Sequence, residues 1–266
     1  MTLETWLAEW LKTYKALYLK KSSIERIKYT IKHVPTWLNE KKLRELKAYD
    51  IDKAISQCKL SRTRKYVYYV LTNALKKAYR LDLLDFDITA KIEPVKHKPK
   101  KGKALTKSEQ IAFLRAIKGC KYRNLFEFYL YTGCRRSEAL SLKWSDIDYK
   151  FKEIYIHGTK TETSERVLFL LPPIEEILKR QKKISGNVEK IFPYEKANVS
   201  HIFKKYCPTH HLHDLRHTFV TRCAENGINI NVAQRLAGHS DISTTLQIYT
   251  HVTSEFQKQE FMKFKL

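Results

Sequence analysis

Four histidines fall within eight residues in HHLHDLRH, residues 210–217, with an arginine among them. Two kinds of chemistry use such a set. His213 and His217 are four apart, a spacing at which two imidazoles on one helix can share a metal ion. The metalloprotease form of that motif has Glu directly after the first histidine, and here Asp214 stands in that place. Arg216 would also set a fixed positive charge beside a divalent cation, so metal is disfavoured. A purely structural reading is stronger: Asp214 holds a helix start and His217 is buried and hydrogen-bonded. The third reading uses Arg216. It lies three residues after His213, on the same helical face. A guanidinium offers phosphate a two-pronged donor, and an imidazole exchanges a proton near neutral pH.

Other residues fit the phosphate reading. AGHSD places His239 in a tight loop after a helix, and Tyr249 follows ten residues later in TTLQIYTHV. TGCRRSEAL puts Arg135 just after a glycine break, at a helix start. Lys160 sits between two threonines in GTKTETSE. Two arginines, two histidines, a lysine and a tyrosine make a phosphoryl-transfer site that calls for no metal and no cofactor. Each motif alone is weak; their order and local contexts together are specific.

These residues need a scaffold. Leu3, Trp6, Leu7, Trp10, Leu11, Tyr14, Leu17 and Tyr18 keep a helical period, which predicts a helix over 3–18 with this stripe in the core. Ser22–Glu25 reads as a capping box opening a second helix, with Pro35 ending its regular part. Asp50 reads as the cap of a third, and a fourth runs over 64–79. Residues 1–88 are therefore expected to form a small four-helix domain. KIEPVKHKPKKGK, residues 91–103, holds six lysines and two prolines with almost nothing to bury, and reads as an extended linker spanning about 89–104. It either tethers the domains or lies along a phosphate backbone. Thr106–Glu109 is a second capping box and opens a domain over 105–266. Its helices run to Tyr131, where Thr132-Gly133 breaks the pattern, and a short helix resumes over 137–142. KEIYIHG and RVLFLLP alternate with period two and predict a β-hairpin whose turn holds Lys160. Helices follow at 174–183, 197–206, 213–226, 230–236 and 241–252, with Gly227 and Gly238 at helix ends.

Composition names the partner class. The 266 residues carry 51 Lys and Arg against 28 Asp and Glu, a net of +23 with an isoelectric point near 9.7. Residues 1–100 hold 23 basic and 11 acidic residues, so the excess belongs to both halves and not to a tail. Such a field favours a polyanion, with nucleic acid first. The five cysteines are scattered without a CxxC, which fits reduced thiols in the cytoplasm. The N-terminus is acidic and then amphipathic, unlike a signal peptide, and no apolar run approaches membrane-spanning length. No membrane partner is expected.

TGCRRSEALSLKWSDID, HGTKTETSERVLFL, HDLRHTFVTRCAENGINI and LAGHSDISTTLQIYTHV, in that order, resemble the tyrosine recombinases of the phage integrase type, both lambda-integrase-like and Xer-like. The resemblance is strong over about residues 105–252; residues 1–88 resemble the family's core-DNA-binding domain only in helical pattern and position. It implies a mainly α fold with a small antiparallel β-sheet, built as a two-domain C-shaped clamp on double-stranded DNA with a lysine-rich linker. It implies that Arg135 and Arg216 grip the scissile phosphate, that Lys160 protonates the departing 5′ oxygen, and that His213 assists proton movement or orients the phosphate. His239 would hydrogen-bond the phosphate, and Tyr249 would attack phosphorus to give a 3′-phosphotyrosyl link, with no metal and no ATP. Cys134 and Ala237 stand where an aliphatic residue and a leucine are common in the family.

Several positions keep two readings. Glu138 either braces Arg135 or is a helix-start charge. Arg136 is a phosphate contact or an exposed cation, and His210 and His211 form a loop on the way into the site, where they would touch DNA backbone. Lys96, Lys98, Lys100, Lys101 and Lys103 are the expected backbone contacts of the linker. The expected working unit is a homo-tetramer on two DNA sites, monomeric when free, with a C-terminal tail that docks either on a neighbour or on its own domain. Type IB topoisomerase-like relaxation, a catalytically silent DNA-binding regulator and a metal-dependent nuclease are the rival activities. The first helix begins by Leu3, so the chain is either a simple recombinase or lacks the arm-binding domain of lambda-type integrases.

Overall fold

The computed structural model describes residues 1–98, 102–158, 165–239, 242, 243, 245, 246, 248–250, 261 and 262. The chain divides into two compact units, Met1–Lys100 and Lys101–Leu266. The fold is mainly helical with one three-stranded antiparallel sheet. Among the described residues no helix is long and apolar enough to cross a membrane.

In the first unit, helices α1 (Leu3–Trp10), α2 (Lys21–Ile31), α3 (Thr36–Asn39), α4 (Ala48–Ser56) and α5 (Ser61–Tyr79) enclose one apolar core. Leu3, Trp6, Leu7 and Trp10 of α1 are buried, and the Trp6 indole N–H donates to the Ala74 carbonyl at 2.9 Å. That bond satisfies the one polar group of a fully buried ring. Leu17 and Tyr18 are exposed instead, at 73% and 84%. At Leu11 the α-helix gives way to a five-residue π-turn, and the chain leaves the helical track before either residue. Two caps also differ from expectation. Helix α2 starts at Lys21 with Lys20 as its N-cap, so Ser22 lies inside its first turn. Asp50 is the third residue of α4, where its carboxylate accepts from the Lys47 backbone N–H at 3.0 Å and from Lys41 Nζ at 2.7 Å.

The second unit contains α6 (Lys107–Ala116), α7 (Arg123–Thr132), α8 (Arg136–Ser141), α9 (Pro172–Ser185), α10 (Lys196–Tyr206), α11 (Asp214–Glu225) and α12 (Ile230–Ala237). Strands β1 (Ile147–Asp148), β2 (Glu153–Ile156) and β3 (Arg166–Phe169) lie in sheet order β1-β2-β3. Ile154 pairs with Leu168 and Ile156 with Arg166, so the buried face carries Ile154, Ile156 and Leu168. Pro172 and Pro173 do more than end the sheet: they are the first two residues of α9, where a missing N–H costs nothing. Helix α7 is buried along most of its length and packs against α9 and α11. The Thr106–Glu109 box forms with both of its bonds, at 3.1 and 2.8 Å.

The segment entering this unit is laid along α11. Asp214 accepts from the Lys103 N–H at 3.3 Å and the His211 N–H at 2.7 Å, and Thr218 Oγ1 accepts from the Leu105 N–H at 2.9 Å. Asp214 thus holds the start of α11 and fixes the residues before α6 as well.

Candidate active site

Two glycines bring the arginines together. Gly133 ends α7 with φ +62°, and a Cβ there would fall 2.4 Å from the Phe219 ring. The left-handed turn costs glycine little and would strain any other residue. It directs the Gly133 carbonyl to Arg216 Nη1, at 2.8 Å, and sets Arg135 as the N-cap of α8. Gly238 ends α12 with φ +68°, and its carbonyl accepts from Arg135 Nη2. Arg135 and Arg216, 81 positions apart in sequence, are thereby each held to a helix-ending glycine, Arg216 to Gly133 and Arg135 to Gly238.

Arg216 is 2% exposed. Its Nε donates to His239 Nε2 at 3.2 Å, and its Nη2 is buried with no hydrogen-bond partner among the described residues. Burial, then the nearby Arg135 charge, push the guanidinium down to about 9. The group stays cationic at neutral pH, with one N–H edge left to serve something not yet present.

His239 lies 2.8 Å from Thr245 Oγ1 through Nδ1. Arg216 can only donate, so His239 Nε2 is the acceptor and the ring proton sits on Nδ1. Burial, then Arg216 and Arg135, push this imidazole down to about 3. It is neutral in the free protein.

His213 immediately precedes α11, and its ring meets His217 edge to face at 5.0 Å. Protein crowded around the ring, then the charges of His217 and Arg216, push it down to about 4. Its outer side is open to solvent, which tempers the first of these causes. His217 is half-buried, and its ring occupies the space where a side chain on residue 102 would stand. His210 is 2% exposed, with Nδ1 2.9 Å from Thr209 Oγ1, so it packs inside the unit and cannot lie on DNA backbone as expected. His211 remains exposed. Among the described residues no three His, Cys, Asp or Glu side chains gather as metal ligands.

The Tyr249 hydroxyl donates to the Ile228 carbonyl at 2.7 Å. Burial, then the neighbouring Cys223, push the phenol up to about 12. The described residues around it, from Ile242 to Thr250, are helical. Lys160 lies outside the described residues, as do Lys100 and Lys101. Lys96, Lys98 and Lys103 are exposed.

Glu138 accepts from the Arg135 N–H at 2.8 Å and from Arg135 Nη1 at 2.7 Å. It is thus both brace and helix-start charge. It also accepts from Arg166 Nη2 at 3.0 Å, a residue that motif reading passed over. The signal was present: Arg166 shares the inward face of β3 with Leu168, and an inward cation demands a partner. Arg136 is held by Ser200 Oγ at 2.5 Å and the Lys196 carbonyl at 3.3 Å. It lines a cleft of about 480 Å³ together with Cys134, Lys204, His213 and Arg216.

Residues 103–255 match the phage integrase family. Tyrosine recombinase XerA of Thermococcus onnurineus is 32% identical over 213 residues, 74% of this chain and 74% of the relative. Tyrosine recombinase XerA of Saccharolobus solfataricus is 33% identical over 168 residues, 62% of this chain but only 57% of the relative's length. Among solved structures, a lambda integrase (75–356) dimer bound to a COC′ core site superposes with a TM-score of 0.81 at 22% identity, over 91% of this chain and 96% of that one. The Tn1549 transposon integrase (82–397) in complex with circular intermediate DNA gives 0.75 at 20% identity, over 98% and 99%. At these identities the structural likeness is one of fold.

Proposed function

Because this chain belongs to the phage integrase family of tyrosine recombinases, we propose that it is a site-specific DNA recombinase, cutting and rejoining DNA through a 3′-phosphotyrosyl intermediate. The observation that carries this reading is the Nη2 of Arg216, buried beside Arg135 and without a partner among the described residues. Two cations crowded together, one of them with an empty donor edge, match the non-bridging oxygens of a phosphodiester and the charge of a pentacoordinate transition state.

Attack by Tyr249 Oη forms the O–P bond and breaks the bond to the 5′ oxygen. The phenol proton must leave, and we assign His213, whose surroundings hold it below its ordinary value, as the base that receives it. The 5′ oxygen takes a proton from Lys160. The phosphotyrosyl bond conserves the energy of the phosphodiester, so a 5′ hydroxyl from another strand reverses the sequence without ATP. The Tyr249 hydroxyl has to exchange the Ile228 carbonyl for the phosphorus before the first step.

Two duplexes each cut on both strands require four tyrosines, hence a tetramer on two DNA sites. At net +23 the free chain repels its own copies and is monomeric. Covalent capture tests the reading. Incubation with sheared genomic DNA should give detergent-resistant adducts whose attached ends share one sequence, with or without EDTA. No adduct, or adducts only with a divalent metal, would overturn it.

His239 gives the site a pH signature. A bound phosphate that draws Arg216 Nε away leaves Nε2 free to take a proton and donate it to the anion. The histidine pKa is then higher in the complex than in the free protein, so binding takes up protons and tightens as pH falls. Affinity for the captured site should rise between pH 7.5 and 5.5 by up to about one log unit per pH unit. His239→Asn should remove that part of the slope. Identical slopes in the two proteins would show that His239 does not meet the phosphate.

The linker lysines act on affinity alone. Neutralising Lys96, Lys98, Lys100, Lys101 and Lys103 should weaken binding to all sequences equally. Each lost phosphate contact should flatten the dependence of log K on log salt by about 0.9. A salt titration with an unchanged slope would leave the segment a plain tether.

A further inference from the structure

Arg166 occupies the start of β3, 28 residues after Glu138 and 70 before Leu236, yet joins both. Its Nε donates to the Leu236 carbonyl at 2.7 Å, and its Nη2 donates to Glu138 Oε2 at 3.0 Å and approaches Cys134 Sγ at 3.6 Å. Its Nη1 lies 2.7 Å from the point where a Cβ on residue 238 would stand, so only a glycine lets the guanidinium lie flat on that turn. The side chain is 7% exposed and that of Glu138 is fully buried. One planar group thus touches the three pieces of chain that present the cleft: the Cys134–Glu138 start of α8, the end of α12, and the Gly238–His239 turn.

We propose that Arg166 is a positioning residue for the phosphate site, a strut that fixes Glu138 and the Gly238–His239 turn against each other and acts on the phosphate through Arg135 and His239. This rests on the recombinase reading above. Glu138 has two oxygens and two guanidinium partners. Oε1 takes Arg135 Nη1, while Oε2 takes the Arg135 N–H and Arg166. Burial by itself would raise the Glu138 carboxyl. The Arg166 hydrogen bond and charge, followed by the Arg135 bonds, outweigh it and hold the carboxyl below its ordinary value. Without Arg166, the buried carboxylate loses its larger compensation, and acid protonates it within a pH range where the wild type is unaffected. A protonated Glu138 no longer holds both Arg135 contacts, and Arg135 then drifts from the phosphate.

The fork is required, as well as the charge. A lysine at 166 supplies one cation but cannot reach the Leu236 carbonyl and Glu138 with separate, coplanar N–H groups. It should keep Glu138 ionised while leaving the Gly238–His239 turn less well held.

The test uses the full chain and a nicked suicide duplex carrying the sequence recovered by covalent capture. Single-turnover formation of the covalent adduct is followed from pH 5 to 9 for wild type, Arg166→Met, Arg166→Lys and Glu138→Gln, with duplex affinity and melting temperature measured for each. Arg166→Met should lose about 10²-fold in rate at pH 7, the scale of a small misplacement of a catalytic group. Its duplex affinity should stay within about threefold, and it should gain an acid limb at higher pH than the wild type. Arg166→Lys should recover part of the rate and lack the new limb, and Glu138→Gln combined with Arg166→Met should also lack it. A wild-type rate and profile in Arg166→Met would overturn the proposal, as would equal losses in the Met and Lys variants that follow melting temperature with no change in profile. Failure of the wild type itself to form adduct would instead overturn the recombinase reading.

Discussion

Tyr249→Phe should abolish covalent attachment to DNA and leave binding within about twofold. The substitution deletes one oxygen. In the free protein that oxygen donates to the Ile228 carbonyl, a half-buried bond whose loss costs about 1 kcal/mol of stability. Charge, backbone and the ring's packing are unchanged, so the surface offered to DNA is unchanged. What disappears is the oxygen proposed to bond to phosphorus. The measurement is a detergent-stable adduct on a nicked suicide duplex, with a gel-shift on the same duplex as control. Residual cleavage by the phenylalanine variant would assign the nucleophile elsewhere.

Arg216→Ala should slow adduct formation by at least 10²–10³-fold, the ~3–4 kcal/mol typical of a donor aimed at transition-state charge. Arg216→Lys should recover little of it. The guanidinium spends one N–H on the Gly133 carbonyl and another on His239, and its free edge is what remains for phosphate. A lysine ammonium in the same tunnel reaches one of these at a time. Stability should move far less than rate: the burial that pushes this guanidinium down to about 9 opposes its charge in the folded state, so truncation also removes a strained cation. Single-turnover rates with parallel thermal melts separate the two effects. A lysine variant at near wild-type rate would reduce Arg216 to a generic source of charge.

Arg135, His213 and His239 could be placed from sequence because they flank punctuated helix ends, and glycine and capping signals are local. Gly133, Gly238 and the Thr106–Glu109 box are legible for that reason. The alternation of β3 marks Arg166 as an inward cation, but its partners, Glu138 and Leu236, come from distant stretches of chain that no local pattern names. The Thr245 bond to His239 depends on a fold-back that no periodicity encodes. His210 misled because proximity to Arg216 in sequence does not say which way a ring turns, and it turns inward. Leu17 and Tyr18 continue an apolar stripe on paper, but one π-turn at Leu11 takes the chain off the helical track that the stripe assumes.

The Thr245–His239 bond has a further meaning. Thr245 and Tyr249 are one helical turn apart, so the proposed nucleophile lies one turn from a residue bonded to a histidine whose other nitrogen faces Arg216. Any free energy by which an anion at Arg216 steadies or loosens that segment must reappear, with the same sign and size, as a change in anion affinity when the segment is steadied or loosened by other means. A partner that grips residues near Tyr249 would thereby tune how tightly the cleft holds phosphate, and each strand's phosphate would report on the state of the segment that is about to attack it. In the tetramer proposed above, reciprocity of this kind would order the cuts without any messenger beyond the bond itself.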